Sequence, residues 1–224
     1  MGTKGGLCWI CKANKATSGE HAIKKSDIKL AFPEKQRLYF HTAEKKNIYI
    51  QGSNSVWLKP LKICPDCNNK RLQPYDKAWD AFSKNCLDQR TTETPASLWR
   101  KLPTKAQQQI RLFLLIKLGC ITKRLQHDKL RGHTSNVKNI LDQMSNGILT
   151  EKLPRSFYAE FLPPAPGLQT PNLEVLNKKN TNICMAVASG YNLPWVSIKV
   201  AFAVHTSAGL LNWMQTVHVS DLSS

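Results

Sequence analysis

The chain has 224 residues, of which 42% are hydrophobic, and 32 Lys and Arg against 15 Asp and Glu give it a net charge of +17. A chain of this length and composition can bury real cores in one large or two small domains. Its apolar runs, such as residues 112–116, are far shorter than the roughly 18–20 residues of a membrane-spanning helix. No secretory signal is evident. Seven cysteines, an odd number, favour the reducing cytoplasm over a disulfide framework.

The positive charge lies mainly in the first two thirds of the chain. Residues 1–90 hold 17 basic and 8 acidic side chains, residues 91–150 hold 10 and 3, and residues 151–224 hold 5 and 4. Lysine and arginine neutralise phosphates whatever the base sequence. The first two segments therefore indicate a nucleic-acid-binding surface. A lysine excess that only aids solubility is the alternative interpretation.

Two Cys-x2-Cys pairs, Cys8/Cys11 and Cys64/Cys67, enclose the segment 12–63. Each pair can place two sulfurs on one side of a tight turn, and together they supply the four ligands of a structural zinc site. Four reduced cysteines without a metal are the alternative. The remaining three are expected to be ordinary buried thiols: Cys86, Cys120 and Cys184.

Closing the two cysteine pairs onto each other would bring three polar side chains near one another. Glu20 and His21 lie early in the enclosed segment, and Asn68 directly follows Cys67. Carboxylate and amide oxygens are hard ligands that suit a divalent ion such as Mg²⁺. An imidazole beside them can accept a proton from water.

At these residues the sequence resembles the HNH, or ββα-metal, endonuclease family, in its subset that is stapled by four cysteines. The matching segments are Ser18–Ser26 and Cys64–Asn69, within about residues 5–85. The resemblance implies that His21 is a general base that activates water. It also implies that Glu20 and Asn68 hold a catalytic Mg²⁺ or Mn²⁺, and that the four cysteines bind a structural Zn²⁺.

Some positions depart from the family pattern or have alternatives. Lys24 stands where the family usually has proline, and Asn69 is the alternative to Asn68 if the register slips by one residue. The middle asparagine of the motif, which orients the base, has two candidates. Asn54 is preferred over Asn47 because it lies nearer the second cysteine pair.

Short strands are predicted in the first segment. Glu20–Ile23 is the expected end of a strand that presents His21, and a lysine-rich bend follows it. Residues 37–41 and 47–51 are predicted to form a hairpin, and Val56–Leu58 a third strand.

Helical periodicity begins after Cys67 and extends to about residue 145, with a predicted linker at Thr91–Pro95 and an interruption at Pro103. An apolar stripe there is predicted to be core rather than a base-stacking platform: Leu72, Tyr75, Trp79 and Phe82. A helix from Thr104 to about Leu125 is predicted to have a broad buried face with its basic residues at the periphery. A second helix, about Ser135–Ser145, is predicted to stop at Gly147.

Apolar residues alternate with other residues along parts of the last segment, which predicts a β-rich module. Strands are predicted over 156–162, 181–188, 196–204 and 210–219, with a stiff proline-rich connection after the first. The expected fold class is thus α+β: a zinc-stapled ββα-metal nuclease domain over 1–90, a basic helical segment over 91–150 and a near-neutral β-rich module over 151–224.

The leading functional hypothesis is a metal-dependent endonuclease that hydrolyses DNA, and family analogy suggests a bacterial anti-phage effector. A non-catalytic, zinc-stapled nucleic-acid-binding protein is the alternative, and RNA as the substrate is a variant of the first. Glu20 and His21 favour the enzyme, because a binding module needs no carboxylate–imidazole pair beside the zinc. Residues 151–224 are expected to contact a regulatory protein or a second copy of the chain.

Overall fold

The computed structural model describes residues 6–32, 39–40, 48–49, 61–125, 134–164, 173–178, 181 and 183–204. Within these residues the protein is a mixture of helices and antiparallel sheets, as the sequence predicts. None of the described helices is long and apolar enough to cross a membrane.

Two small sheets lie in the first segment. Strand β1 (Ser18–Glu20) pairs antiparallel with a later strand, Leu61–Ile63. Between them in the chain come β2 (Tyr39–Phe40) and β3 (Ile48–Tyr49), whose antiparallel pairing confirms the predicted hairpin. The strand Leu61–Ile63 is β4 and was not predicted; the strand expected at 56–58 falls outside the described residues.

The bend expected after Ile23 is wrong, because a helix, α1 (Lys25–Ala31), lies there. This helix buries Asp27 and Ile28 against the rest of the molecule. Seven residues are too few to show helical periodicity in the sequence. The stabilising contacts come from distant residues.

The middle of the chain is helical. After a π-helical turn at Cys67–Arg71 come α2 (Gln73–Asp88), α3 (Pro95–Arg100), α4 (Thr104–Leu125) and α5 (Thr134–Leu149). The predicted core stripe of α2 is confirmed, since Leu72, Tyr75, Trp79 and Phe82 are all buried.

Helix α5 runs two residues beyond its predicted end at Gly147. The glycine serves close packing and does not terminate the helix. A Cβ atom at this position would lie 2.7 Å from Cδ of Pro154 and 2.9 Å from the carbonyl oxygen of Lys152. Proximity to the returning chain therefore explains this glycine.

A four-stranded antiparallel sheet lies in the last segment. Its strands are β5 (Phe157–Leu162), β6 (Leu173–Asn177), β7 (Cys184–Leu193) and β8 (Val196–Ala203), in the order β5-β8-β7-β6. The predicted strands over 156–162 and 196–204 are confirmed, β7 begins later and ends later than predicted, and β6 was not predicted. The strand expected over 210–219 falls outside the described residues.

The three segments that differ in charge share one hydrophobic core. The Trp79 ring of α2 stacks on Phe113 of α4, with 4.9 Å between ring centroids and 8° between planes. Tyr191 of β7 meets the same tryptophan edge-on at 5.0 Å. Division into separate domains stays a prediction, but the described residues of all three segments pack together.

A buried carboxylate connects the same elements. Asp27 has no exposed surface, and it accepts hydrogen bonds from Trp79 Nε1 at 2.7 Å, Ser83 Oγ at 2.8 Å and the Tyr191 hydroxyl at 2.8 Å. The Tyr191 oxygen also accepts a hydrogen bond from the backbone N–H of Lys24 at 2.8 Å. Burial raises the pKa of Asp27 more than these three donors lower it.

Replacing Tyr191 by phenylalanine should lower the free energy of unfolding by about 1–3 kcal/mol, because Asp27 loses a donor and the Lys24 N–H loses its acceptor. Urea denaturation followed by circular dichroism measures the change. Tyr158→Phe, at a half-buried tyrosine of β5, is the matched control. Equal midpoints for Tyr191→Phe and the wild type would show that the network adds no stability.

Candidate metal centre and polar cleft

The first cysteine pair lies in a tight turn. The backbone N–H of Cys8 donates to the carbonyl of Asn14 at 2.8 Å, and that of Lys12 donates to the carbonyl of Cys8 at 2.8 Å. Lys12 has φ of 57°, in the left-handed region, which L-residues other than glycine adopt at a cost of roughly 1–2 kcal/mol. This conformation reverses the chain just after Cys11.

The second cysteine pair opens the helical part of the chain. The N–H of Cys67 points at Sγ of Cys64, 3.3 Å away, and the N–H of Asn68 donates to the carbonyl of Cys64 at 2.9 Å. The N–H of Leu72 then donates to the carbonyl of Cys67, five residues back. In this π-helical turn Cys67 is buried, and the next residue, Asn68, is half-buried on an adjacent side of the turn.

The two pairs meet in one cluster, the cysteine clamp (Cys8, Cys11, Cys64 and Cys67). All four Sγ atoms lie within 4.8 Å of one another, and the Cys11 and Cys64 sulfurs are 3.6 Å apart. A tetrahedral zinc with Zn–S bonds of about 2.3 Å would hold its sulfurs about 3.8 Å apart. The cluster can therefore hold a metal ion such as zinc. In the described part of the chain it is the only such group of His, Cys, Asp or Glu.

The surroundings shift the pKa values of Cys8 and Cys11 in opposite directions. Burial raises the pKa of Cys8. At Cys11 burial acts in the same direction, but the backbone amides of Asn14 and Ala13 and the neighbouring thiols outweigh it and lower the pKa to about 7.

Helices α4 and α5 support the clamp from behind. Ser145 Oγ donates to the carbonyl of Ile10 at 2.6 Å, and Lys12 forms an ion pair with Asp142 at 2.7 Å. Gly119 of α4 lies under the Trp9 ring, where a Cβ would come within 2.2 Å of it. The clamp is therefore part of the main core.

Beside the clamp is an open cleft of about 530 Å³, the polar cleft. Its walls come from β1, α1, the π-helical turn, α2 and α4. The lining residues are Ser18, Gly19, Glu20, His21, Lys24, Lys25, Ser26, Lys29, Asn68, Asn69, Asp76, Asp80 and Lys117. Glu20, His21 and Asn68, which the sequence singled out as a site, thus line the same cavity.

Local structure explains why these three converge. Strand β1 ends at Glu20 and His21 follows immediately. Asn68 crosses to this strand, and its Nδ2 donates to Ser18 Oγ at 2.7 Å and to the Gly19 carbonyl at 3.5 Å. The acceptor atom of the same side chain, Oδ1 of Asn68, takes no part in these two hydrogen bonds. Asn69 is exposed; Asn54 and Asn47 lie outside the described residues.

Glu20 has a partner that the sequence did not indicate. Lys117 of α4 donates to Oε1 of Glu20 and, at 2.9 Å, to the backbone carbonyl of His21. Glu20 is only 8% exposed and Lys117 only 3%. Burial acts to lower the pKa of Lys117, but the carboxylates of Glu20 and Asp76 outweigh it and raise that pKa.

The expectation that the basic residues of α4 are peripheral is therefore wrong for Lys117. The available signal was its place on the apolar face of the helix, four residues after Phe113 and one before Leu118. A lysine on such a face requires a buried acid, because an unpaired charge there is costly.

Lys24, at the position where the family usually has proline, forms part of the wall of the cleft. Its Nζ donates to Asp80 Oδ2 at 2.7 Å and to the carbonyl of Asp76 at 2.8 Å. Ser26 Oγ donates to the other oxygen of Asp80 at 2.7 Å. Burial raises the pKa of Asp76 more than Lys117 and Lys24 lower it. The exposed lysines of this cleft are Lys25 and Lys29.

No protein-family model matches the chain, and comparisons with curated proteins and with solved structures also find no match. Inference about function therefore depends on the chemistry of the clamp and the cleft.

Replacing Cys64 by serine should lower bound zinc well below the one ion per chain expected of the wild type, because a serine hydroxyl is a much weaker zinc ligand than a thiolate. The thermal midpoint should fall as well, since metal binding contributes to folding. Elemental analysis and calorimetry measure the two effects. Cys86→Ala, at a buried thiol outside the clamp, should keep its zinc. Full zinc occupancy in Cys64→Ser would contradict the assignment.

Proposed function

We propose that the chain is a metal-dependent endonuclease that hydrolyses phosphodiester bonds of DNA. The observation that carries this proposal is the convergence of Glu20, His21 and Asn68 on the polar cleft, next to the cysteine clamp. The supporting framework is an antiparallel strand pair, β1 and β4, followed by a helical segment that begins at the second cysteine pair. This order agrees with the ββα arrangement that the sequence resemblance implies.

The clamp is proposed to hold a structural Zn²⁺. Four thiolates would fill its tetrahedral coordination, which leaves no open position for water or substrate. The zinc would instead connect the turn before β1 to the helical segment after β4. Chemistry is thereby assigned to the cleft and not to the clamp.

The cleft offers oxygen ligands for a second, catalytic ion. One carboxylate oxygen of Glu20 and Oδ1 of Asn68 are hard donors of the kind that Mg²⁺ and Mn²⁺ prefer. Such an ion, when bound, would stabilise the negative charge that develops on the scissile phosphate and the leaving oxygen.

The remaining roles follow from position and charge. His21 directly follows the proposed ligand Glu20, and its imidazole would accept the proton of the attacking water. Lys25 and Lys29 are exposed one turn apart on α1, where they would bind backbone phosphates on either side of the cut.

A second candidate function is a zinc-stapled binding module without catalysis, and Lys117 is the observation that favours it. The ion pair with Lys117 gives Glu20 a structural reason to be acidic, so the carboxylate no longer points to catalysis alone. The exposed lysines would serve DNA or RNA binding equally well. Cleavage assays separate the two functions.

The near-neutral segment 151–224 is proposed to contact a regulatory protein or a second copy of the chain. The role in anti-phage defence rests on family analogy alone. Tyr191 gives this segment a route to the cleft, because its hydroxyl accepts a hydrogen bond from the N–H of Lys24. A partner bound to the sheet could in this way affect the wall of the cleft.

His21→Ala should abolish cleavage of plasmid DNA in Mg²⁺ or Mn²⁺, because the water loses its base. Zinc content and DNA affinity should stay within about threefold of wild type, since the imidazole is assigned to proton transfer and not to phosphate binding. Gel assays with added metal measure cleavage. The EDTA control requires a zinc measurement on the same sample, so that loss of the catalytic ion is not confused with loss of the clamp.

Two neighbouring asparagines provide a matched pair for the same assay. Asn68→Ala should reduce cleavage strongly, whereas Asn69→Ala should have little effect; the reverse result would move the ligand by one position. Asn54→Ala tests the middle asparagine. A wild-type chain that binds DNA in a salt-sensitive way but never cuts it, with either metal, would favour the binding module.

Replacing both Lys25 and Lys29 by alanine should weaken DNA binding and reduce the slope of log affinity against log salt by about 2, one unit for each lost phosphate contact. Fluorescence anisotropy across a salt series measures the slope. Lys84→Ala is the control, because Lys84 already pairs with Asp88 at 2.5 Å on α2. An unchanged slope in the double variant would place the DNA elsewhere.

A further inference from the structure

We propose that Lys117 is a positioning residue of the polar cleft, whose ammonium fixes the Glu20–His21 dipeptide in its working arrangement. This inference rests on the proposed nuclease function. It adds a residue from α4, 97 positions away in sequence, that the family resemblance does not include.

The contacts of Lys117 are all inward. Its Nζ donates to Oε1 of Glu20 and to the backbone carbonyl of His21, and it lies 5.0 Å from the centroid of the Phe113 ring. One ammonium thus binds both the side chain of the proposed metal ligand and the backbone of the proposed base. Its side chain is only 4% exposed, which leaves the ammonium little room for a contact with DNA.

Two consequences follow for the cleft. Because Oε1 of Glu20 is engaged, Glu20 has one remaining carboxylate oxygen to offer an ion. Because the His21 carbonyl is also engaged, the backbone that carries the imidazole is fixed where β1 has already ended. Strand β1 pairs with β4 over Ser18–Glu20, and the contact from Lys117 anchors the backbone at the next residue, His21.

A purely structural ion pair would stabilise the fold without any special effect on His21. The contact with the His21 carbonyl separates the two interpretations, because it predicts an effect of Lys117 on the position of the imidazole. Misplacement of a reacting group by about 1 Å can reduce a rate by about 10²-fold.

The test compares Lys117→Met with Leu114→Ala in the full-length, zinc-loaded chain. Methionine keeps the length of the side chain and its packing on Phe113 but removes the ammonium. Leu114 is a buried residue of the same helix that lines a different cavity, with Ile198 of β8. It therefore controls for loss of stability without loss of the anchor.

The first readout needs no catalysis. Imidazole ¹H–¹³C signals are recorded without added Mg²⁺ or Mn²⁺, and the His21 signal is identified from its loss in His21→Gln. Lys117→Met should shift the His21 signal by more than its linewidth, and Leu114→Ala should not. An unmoved His21 signal in folded, zinc-loaded Lys117→Met would overturn the proposal.

The second readout is the single-turnover cleavage rate per folded chain. Lys117→Met should lose about 10²-fold, with DNA affinity within about threefold, because the lysine is assigned to the geometry of the base. Leu114→Ala should keep its rate within about twofold, because Leu114 lines a different cavity. A rate for Lys117→Met within twofold of wild type would also overturn the proposal.

A second pair of variants covers the case in which Lys117→Met does not fold. If Lys117→Met alone does not fold, Glu20→Gln with Lys117→Met removes both buried charges, and its His21 signal is compared with that of Glu20→Gln alone. Equal signals would overturn the proposal, since the His21 carbonyl loses its donor in the double variant only. If the wild type does not cut DNA, the proposed function fails, and the imidazole signals still decide the role of Lys117.

Discussion

The meeting of four thiols is the constraint on which the first part of the structure depends. Strands β1 and β4 are three residues each, and a strand pair of this size is not stable alone in water. The clamp brings together the turn before β1 and the helical turn after β4, which reduces the loop-closure entropy that pairing the two strands would otherwise cost. The hydrogen bond from Asn68 to Ser18 then follows from that register. The cleft is thus a geometric consequence of the spacing of the four cysteines.

A second set of contacts completes the cleft from the far side of the chain. Lys117 of α4 binds Glu20 and the His21 carbonyl, and Tyr191 of β7 binds Asp27 and the Lys24 N–H. Both anchors lie on elements that pack around Trp79. Residues beyond position 90 therefore help to build the site, although the matching sequence segments lie within about residues 5–85. The first segment supplies the proposed site residues, and the later segments fix where they lie.

The sequence predicted those parts of the site that depend on local spacing. The cysteine pairs and the residues next to them, Glu20, His21 and Asn68, could be placed together because the clamp closes on short turns. It could not predict α1, whose seven residues are stabilised by a carboxylate with three distant donors. Nor could it pair Lys117 with Glu20, because no local pattern selects a partner 97 residues away. Strand β6 was missed after a proline-rich stretch for the same reason, since its partner β7 defines it.

The ion pairs also show which lysines of the cleft remain available to the proposed DNA substrate. Lys24 and Lys117, although both line the cleft, are occupied by Asp80 and Glu20. The Lys117–Glu20 pair is buried and the Lys24–Asp80 pair is partly exposed, and opposite charges at such short range add little to the field outside. The potential at the cleft mouth must then come from exposed lysines such as Lys25 and Lys29, which screening by salt affects strongly. The net charge of +17 therefore overstates the positive charge that the cleft offers to a ligand, because Lys24 and Lys117 act on the protein's own carboxylates.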